Sequence, residues 1–319
     1  MDRSSEATKK GGLGRILRTV IALAAVALAA YLIYRTLSRY TFEQILQSIS
    51  SIPASRVGMS LACVAASYLC LTGFDWLALR YVNHCLPYRY VALASFCSLS
   101  LGHNIGFAAL SSGAIRYRFY SRFGIGLGDI AKIILFCGVT VGLGLIILAG
   151  LALVSSPVLA SEMTGLPRAT LLGIGISCLS LAVAYVGLAR FVRAPIRIRR
   201  WTLELPPWRL AVGQILIGPL NFAFVAAALY HVLADLGEVS YPQVVTAYVI
   251  GLTSSLLAHA PGGLGVLETV LMFLIPGKQI IGGLIAFRVV YFFIPLLIGA
   301  PLFALSEIAF RRSGSITVN

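Results

Sequence analysis

An all-α polytopic membrane fold is predicted by three features of this 319-residue sequence: 59% apolar residues against 11% charged, long apolar runs along most of its length, and glycine breaks in two of those runs. Mean hydropathy is strongly positive. That balance lies far outside the range of soluble domains, so lipid is the solvent this chain is built for. A helix needs about 20 apolar residues to cross the hydrocarbon layer, and runs of that length leave no room for a separate soluble domain. The expectation is a single transmembrane domain over residues 1–319.

The apolar segments fall near residues 17–37, 55–80, 91–110, 130–154, 169–189, 209–232, 243–260 and 279–306. The first follows Lys9, Lys10, Arg15 and Arg18 and resembles a signal peptide, with Ala27-Leu28-Ala29 mimicking a cleavage site. Bulky Tyr31, Tyr34 and Tyr40 come next, and the repeat described below needs the segment as a helix, so an uncleaved span is expected. The third and seventh segments are followed by Ser111-Ser112-Gly113 and Pro261-Gly262-Gly263, which predict chain breaks. An offset of 150 residues superposes these breaks, aligns Gly113 with Gly263 and Ile130 with Ile280, and brings each long segment of one half onto one of the other. Two repeats, 17–154 and 167–306, are predicted.

Loop charge selects the topology. With eight crossings and a cytoplasmic amino terminus, the loop carrying Arg190, Arg193, Arg197, Arg199 and Arg200 lies outside, against the positive-inside rule. If the two broken segments instead enter and return on the same side, six crossings remain. That loop and the tail with Arg311 and Arg312 are then cytoplasmic, and Asp235 and Glu238 lie outside. Each repeat has three crossings, so the repeats are inverted and two re-entrant hairpins approach from opposite faces. Both termini are cytoplasmic.

The formal charge of +14 sits in short loops and helix ends, which favours cytoplasmic retention and anionic lipid over nucleic acid. All six cysteines lie in or beside apolar segments without CxxC spacing and read as small buried apolar residues. There is no Gly-x-Ser-x-Gly elbow, P-loop or HExxH motif, and Gly124-Ile125-Gly126 lacks a following ribose-binding acid, so neither hydrolase nor dinucleotide chemistry is expected. No cofactor is implied.

The first break continues into Ala114-Ile115-Arg116-Tyr117-Arg118. A helix starting at Ser112 or Gly113 puts Arg116 and Arg118 in its first turn or two, where cations oppose the dipole, and each costs about 2.5–3.5 kcal/mol near the bilayer centre. An anion answers both costs, and a phosphate suits arginine forks and helix starts. Arg122 reads as an ordinary headgroup anchor. In the second hairpin, the offset places Glu268 opposite Arg118; its carboxylate needs a partner, and Arg288 or Arg118 can serve. Asp75 and Arg80 bracket Trp76 and read as interface anchors. His103 and Asn104 before the first break, and His259 before the second, suggest polar lining of the hairpin tips; two histidines without a carboxylate set do not make a metal site.

At these hairpins the chain resembles the lysylphosphatidylglycerol synthase transmembrane region, the flippase-like family of bacterial inner-membrane proteins. The matching stretches are Ser112-Gly113-Ala114-Ile115-Arg116-Tyr117-Arg118 with Tyr120-Ser121-Arg122-Phe123-Gly124, and Pro261-Gly262-Gly263-Leu264-Gly265-Val266-Leu267-Glu268. The resemblance implies a stand-alone member that moves lipid between leaflets of the bacterial inner membrane. The chain stops at Asn319, so no aminoacyl transfer domain and no enzyme activity are expected. An anionic or aminoacylated phospholipid is the expected ligand, with Arg116, Arg118, Glu268, Arg288, Gly113, Gly262, Gly263, His103, Asn104 and His259 around its headgroup. A non-transporting scaffold that holds a lipid-modifying enzyme through residues 190–209 is the alternative. An intramembrane transferase has only Glu268 and Asp75 as candidate bases and is the least supported.

Overall fold

The computed structural model describes residues 52–105, 108–192, 196–198, 201–234, 239–257, 265–275 and 280–312, together with residues 43 and 50. The predicted first crossing, 17–37, lies outside them. Among the described residues, five helices are long and apolar enough to cross a membrane: Ala54–Tyr81 (α1), Leu127–Ser155 (α4), Arg168–Phe191 (α6), Trp208–Leu233 (α7) and the last helix, Ile280–Phe310. Each falls on one of the apolar segments read from the sequence. Between them lie Tyr88–Ile105 (α2), Ala108–Tyr120 (α3), Pro157–Thr164 (α5), Tyr241–Leu257 (α8) and Val266–Leu274 (α9). The last helix is divided by a π-helical turn, Val289–Phe293, into Ile280–Arg288 (α10) and Ile294–Arg312 (α11).

Proline sets three of the starts. Pro53, Pro167 and Pro207 hold an extended conformation immediately before α1, α6 and α7. Their carbonyls accept the first helical bonds, from Val57, Leu171 and Ala211. A fixed φ is already helical in value, so proline here orders the entrance without removing a bond the helix needs.

The most extensive helix pair is α1 with α7. Ser60 Oγ donates to the Ala228 carbonyl at 2.9 Å and Ser67 Oγ donates to Asn221 Oδ1 at 2.7 Å. Farther along, Gly73 faces Ile217 and Gly213 faces Leu77, so numbering rises along α1 as it falls along α7: the pair is antiparallel. Where lipid gives helices no hydrophobic reason to associate, small residues and hydroxyl bonds of this kind supply the packing.

The antiparallel pair fixes where the shorter helices dock. Tyr88, at the start of α2, shares a 2.6 Å hydrogen bond with Thr72 in the last third of α1. Tyr241, at the start of α8, donates to the Ala223 carbonyl at 3.0 Å and packs edge-on against Tyr230, near the end of α7. The pairs α2–α3 and α8–α9 therefore begin at opposite ends of the α1–α7 unit. Helices α2 and α3 lie side by side, Gly102 against the Ser112 backbone, where a Cβ would come within 3.2 Å of the Ser112 nitrogen. Their outer ends meet through Tyr90 and Phe123, with ring centroids 5.2 Å apart, which makes α2–α3 a helical hairpin. In α8–α9, Gly251 receives the Leu267 side chain.

Two further glycine contacts complete the bundle. Gly144 of α4 abuts the backbone of Gly218 in α7, and Gly150 of α4 abuts Gly175 of α6. Gln214 pins this junction by donating to Thr140 Oγ1 at 2.8 Å and accepting from the Tyr185 hydroxyl at 2.6 Å. Helix α6 is peripheral: Leu171, Gly175 and Ala182 form its one buried stripe, while Val183 is 71% and Phe191 82% exposed. An apolar helix bare on most of its circumference is what a lipid-facing position requires.

The arginine-rich loop read from the sequence holds a short antiparallel ribbon, Ile196–Ile198 (β1) with Trp201–Leu203 (β2). The structure corrects the sequence reading of the cysteines. Cys85 is exposed, and Cys63 and Cys178 are half-buried, leaving Cys70, Cys97 and Cys137 as the buried cysteines.

Candidate functional site: arginine and carboxylate clusters on two hairpins

Sequence reasoning put a chain break at Ser111-Ser112-Gly113 and a helix start just after it. Instead α3 runs unbroken from Ala108, and Gly113 is an interior residue packed against Ile134 of α4, where a Cβ would lie 2.8 Å from the isoleucine methyl. Its missing side chain serves helix packing. Arg116 and Arg118 consequently lie far from the helix start, and Arg118 belongs to the last turn, where a cation is favoured by the dipole.

Arg116 meets an anion, and it is Asp75. Arg116 Nε donates to Asp75 Oδ1 at 2.7 Å and Nη2 donates to Oδ2 at 2.8 Å. Tyr120 OH donates to Oδ1 at 2.9 Å and Ser95 Oγ to Oδ2 at 2.7 Å. Both charged residues are buried, Asp75 completely. With four donors, two of them from the forked guanidinium, this carboxylate is saturated, and the unit ties α1, α2 and α3 together. The interface role expected of Asp75 is therefore corrected. Arg80 is exposed and stacks 3.5 Å above the Trp76 ring, as an anchor does.

A second cluster joins α3 to α11. Arg118 Nη2 and Arg122 Nη2 each donate to Glu307, to Oε2 and Oε1, both at 2.5 Å. The arginine side chains are 18% and 25% exposed and the glutamate 5%. Arg122 also lies over the Phe310 ring at 4.6 Å, and Phe119 and Phe123 pack against Phe310. Arg122, read from sequence as a headgroup anchor, is thus half of a paired site. Glu307 escaped the sequence reading because it sits one residue beyond the last apolar segment; an acid at the edge of a membrane helix was the available signal.

The third cluster belongs to the other hairpin. Of the two partners open to Glu268, the structure provides Arg288, whose Nε donates to Glu268 Oε1 at 2.5 Å. Glu268 Oε2 accepts from the Gly265 backbone at 2.9 Å, closing the start of α9, and Gly265 takes the left-handed φ of 85° that glycine tolerates. Arg288 lies over Phe292 at 4.6 Å, directly before the π-helical turn. Glu268→Ala removes one partner of a buried arginine and an N-terminal bond, and thermal unfolding in detergent is expected to show a loss of about 3 kcal/mol. Glu268→Gln, able to keep the bond to Gly265, should recover only part of it.

Of the residues expected to line the first tip, His103 lies among aromatic rings. His103 stacks on Tyr291, with centroids 6.2 Å apart, and meets Tyr68 edge-on. Among the described residues, His103 Nδ1 and the Tyr68 hydroxyl are buried without a hydrogen-bond partner. Asn104 Nδ2 donates to the Ser100 carbonyl at 2.8 Å and reaches the Phe292 carbonyl at 3.5 Å, inside the π-helical turn. His259, Gly262 and Gly263 lie outside the described residues. Among the described residues there is no cluster of metal-ligating side chains.

Residues 21–299 match the lysylphosphatidylglycerol synthase TM region family. The chain belongs to that family. It is 30% identical over 264 residues to "Uncharacterized protein slr0712" of Synechocystis sp., covering 82% of each chain. It is 31% identical over 255 residues to "Inner membrane protein YbhN" of Escherichia coli, covering 78% of this chain and 79% of that one. Similarity to the Staphylococcus aureus "Phosphatidylglycerol lysyltransferase" is weaker, 22% over 315 residues, and involves 91% of this chain but 34% of that protein.

Proposed function

We propose that this family member is a lipid translocase of the bacterial inner membrane, without enzyme activity, handling a phospholipid with an anionic or aminoacylated headgroup. The observation that carries the reading is the placement of two helix pairs at opposite ends of the antiparallel α1–α7 unit, each tied to its surroundings by arginine–carboxylate contacts. In a six-crossing topology with residues 17–37 as the first span, these pairs are re-entrant hairpins of two inverted repeats. Rocking of one repeat against the other then exposes a headgroup site to each leaflet in turn. Arg118, Arg288 and Glu268 are assigned to the headgroup, with Asn104, His103 and His259 lining the tips and Gly262 and Gly263 shaping the second turn. Arg116 is assigned to holding the first hairpin on α1, because Asp75 takes the Nε side of its guanidinium in a two-pronged fork.

The test is reconstitution of the full chain in vesicles carrying fluorescent phosphatidylglycerol, followed by quenching of the outer leaflet. Faster loss of the protected signal than in protein-free vesicles is expected. No acceleration in several lipid mixtures, with and without a proton gradient, overturns the reading. The scaffold alternative draws on the lysyltransferase relative, in which the similar region is part of a longer protein. A stoichiometric enzyme co-purifying with a chain that moves no lipid favours it.

A further inference from the structure

Resting on that reading, we propose that Arg118 and Arg122 form the phosphate site for an anionic lipid headgroup, and that Glu307 is a displaceable occupant which the phosphate replaces. The three clusters are not equivalent. Asp75 is sealed, with one arginine, one tyrosine and one serine all directed at it. Glu307 is different: two guanidiniums share one carboxylate, one bond to each oxygen, and both arginines remain accessible in part. Among the described residues, Arg118 Nε is buried without an acceptor, so the carboxylate leaves a donor of this fork unused.

A phosphodiester suits the site better than the carboxylate does. Its two non-bridging oxygens carry a full negative charge and accept forked guanidinium bonds, and a third acceptor is within the same group. Phe119, Phe123, Phe303 and Phe310 wall the cluster, with centroid separations near 6 Å, which lowers the local dielectric and strengthens whichever anion is held. The site lies where α3 ends and α11 approaches its own end, beside the basic stretch with Arg311 and Arg312, the side to which positive-inside charge assigns the cytoplasmic leaflet. Because Glu307 lies on α11 and both arginines follow from α3, replacing the carboxylate by a lipid releases the last helix from the first hairpin. Lipid arrival is thereby coupled to hairpin movement.

Glu307→Gln in the full chain distinguishes this from a structural ion pair. A competing internal anion is removed, so dihexanoyl phosphatidylglycerol should bind tighter than to wild type, by about 5- to 100-fold for a coupling of ordinary size. Arg118→Ala with Arg122→Ala should abolish that binding, and Arg80→Gln, an exposed arginine elsewhere, should leave it unchanged. In nanodiscs, Glu307→Gln should melt below wild type in pure phosphatidylcholine and recover when phosphatidylglycerol is included, as a bound ligand stabilises only the folded chain. Inorganic phosphate as a separate arm names the source: recovery with phosphatidylglycerol alone marks a lipid site, and equal recovery with phosphate marks a free-anion site. Binding no tighter than wild type, melting indifferent to phosphatidylglycerol, or failure to fold even in its presence overturns the proposal. Stimulated lipid movement with no effect of Glu307→Gln leaves the translocase standing without this site; tightened binding without lipid movement does the reverse.

Discussion

Asp75→Asn is expected to cost about 3–5 kcal/mol and to leave little correctly assembled protein, the largest effect of any single polar substitution in this chain. The mutation changes two atoms' worth of chemistry but strands Arg116, a buried cation whose Nε and Nη2 both depend on that carboxylate. An asparagine also turns an NH2 group toward Arg116, which can only donate, so one of the two guanidinium contacts becomes donor against donor, whereas the Tyr120 and Ser95 hydroxyls can turn to accept. Exchange for a charged lipid cannot repair the loss, because the pair is buried between α1 and α3. Melting temperature in nanodiscs should therefore fall equally with and without phosphatidylglycerol. That indifference is the contrast with Glu307→Gln, and it separates a carboxylate that holds the fold from one that holds a place.

Gly144→Leu is the second large effect expected. A Cβ at Gly144 would lie 2.5 Å from the Gly218 carbonyl carbon, and the obstacle is backbone, which cannot swing aside as a side chain can. Helices α4 and α7 must separate, Gln214 loses its reach to Thr140, and the cost should be about 3 kcal/mol or more, the upper end for overpacking. Gly142 is two residues away on an exposed face with nothing within 4 Å of its absent Cβ, so Gly142→Leu should be close to neutral. Thermal stability of the pair in the same detergent checks the difference; equal destabilisation of both contradicts the α4–α7 contact.

The spans were legible because lipid imposes them: a crossing helix has no choice but a long apolar run, and the described spans fall where such runs occur. Glu268 was legible as a carboxylate in need of a cation, with Arg288 among the partners named. The helix start in the first hairpin was not. Gly113 looked like punctuation because glycine breaks helices in water, yet in a membrane bundle glycine as often marks where another helix comes close, as it does here beside Ile134. Partners far apart in sequence were equally hidden. Asp75 precedes Arg116 by 41 residues and Glu307 follows Arg118 by 189, separations with no periodicity to announce them. Charge counting predicted that the arginines need anions; only the fold shows that the chain supplies its own.

The proposed translocase requires the α2–α3 and α8–α9 hairpins to enter the membrane from opposite faces and return to the face they left. Single cysteines at the four hairpin ends, in a background with the other native cysteines replaced, test it directly by labelling with an impermeant maleimide in vesicles of known orientation. Native Cys85 and a Gly126→Cys site flank the first hairpin, and Ser240→Cys and Gly277→Cys flank the second. The account predicts that the first two react from the cytoplasmic side and the last two from the other. Reaction of Cys85 and Gly126→Cys from opposite sides would mean that α2–α3 passes straight through, and the account of two opposed hairpins would be wrong.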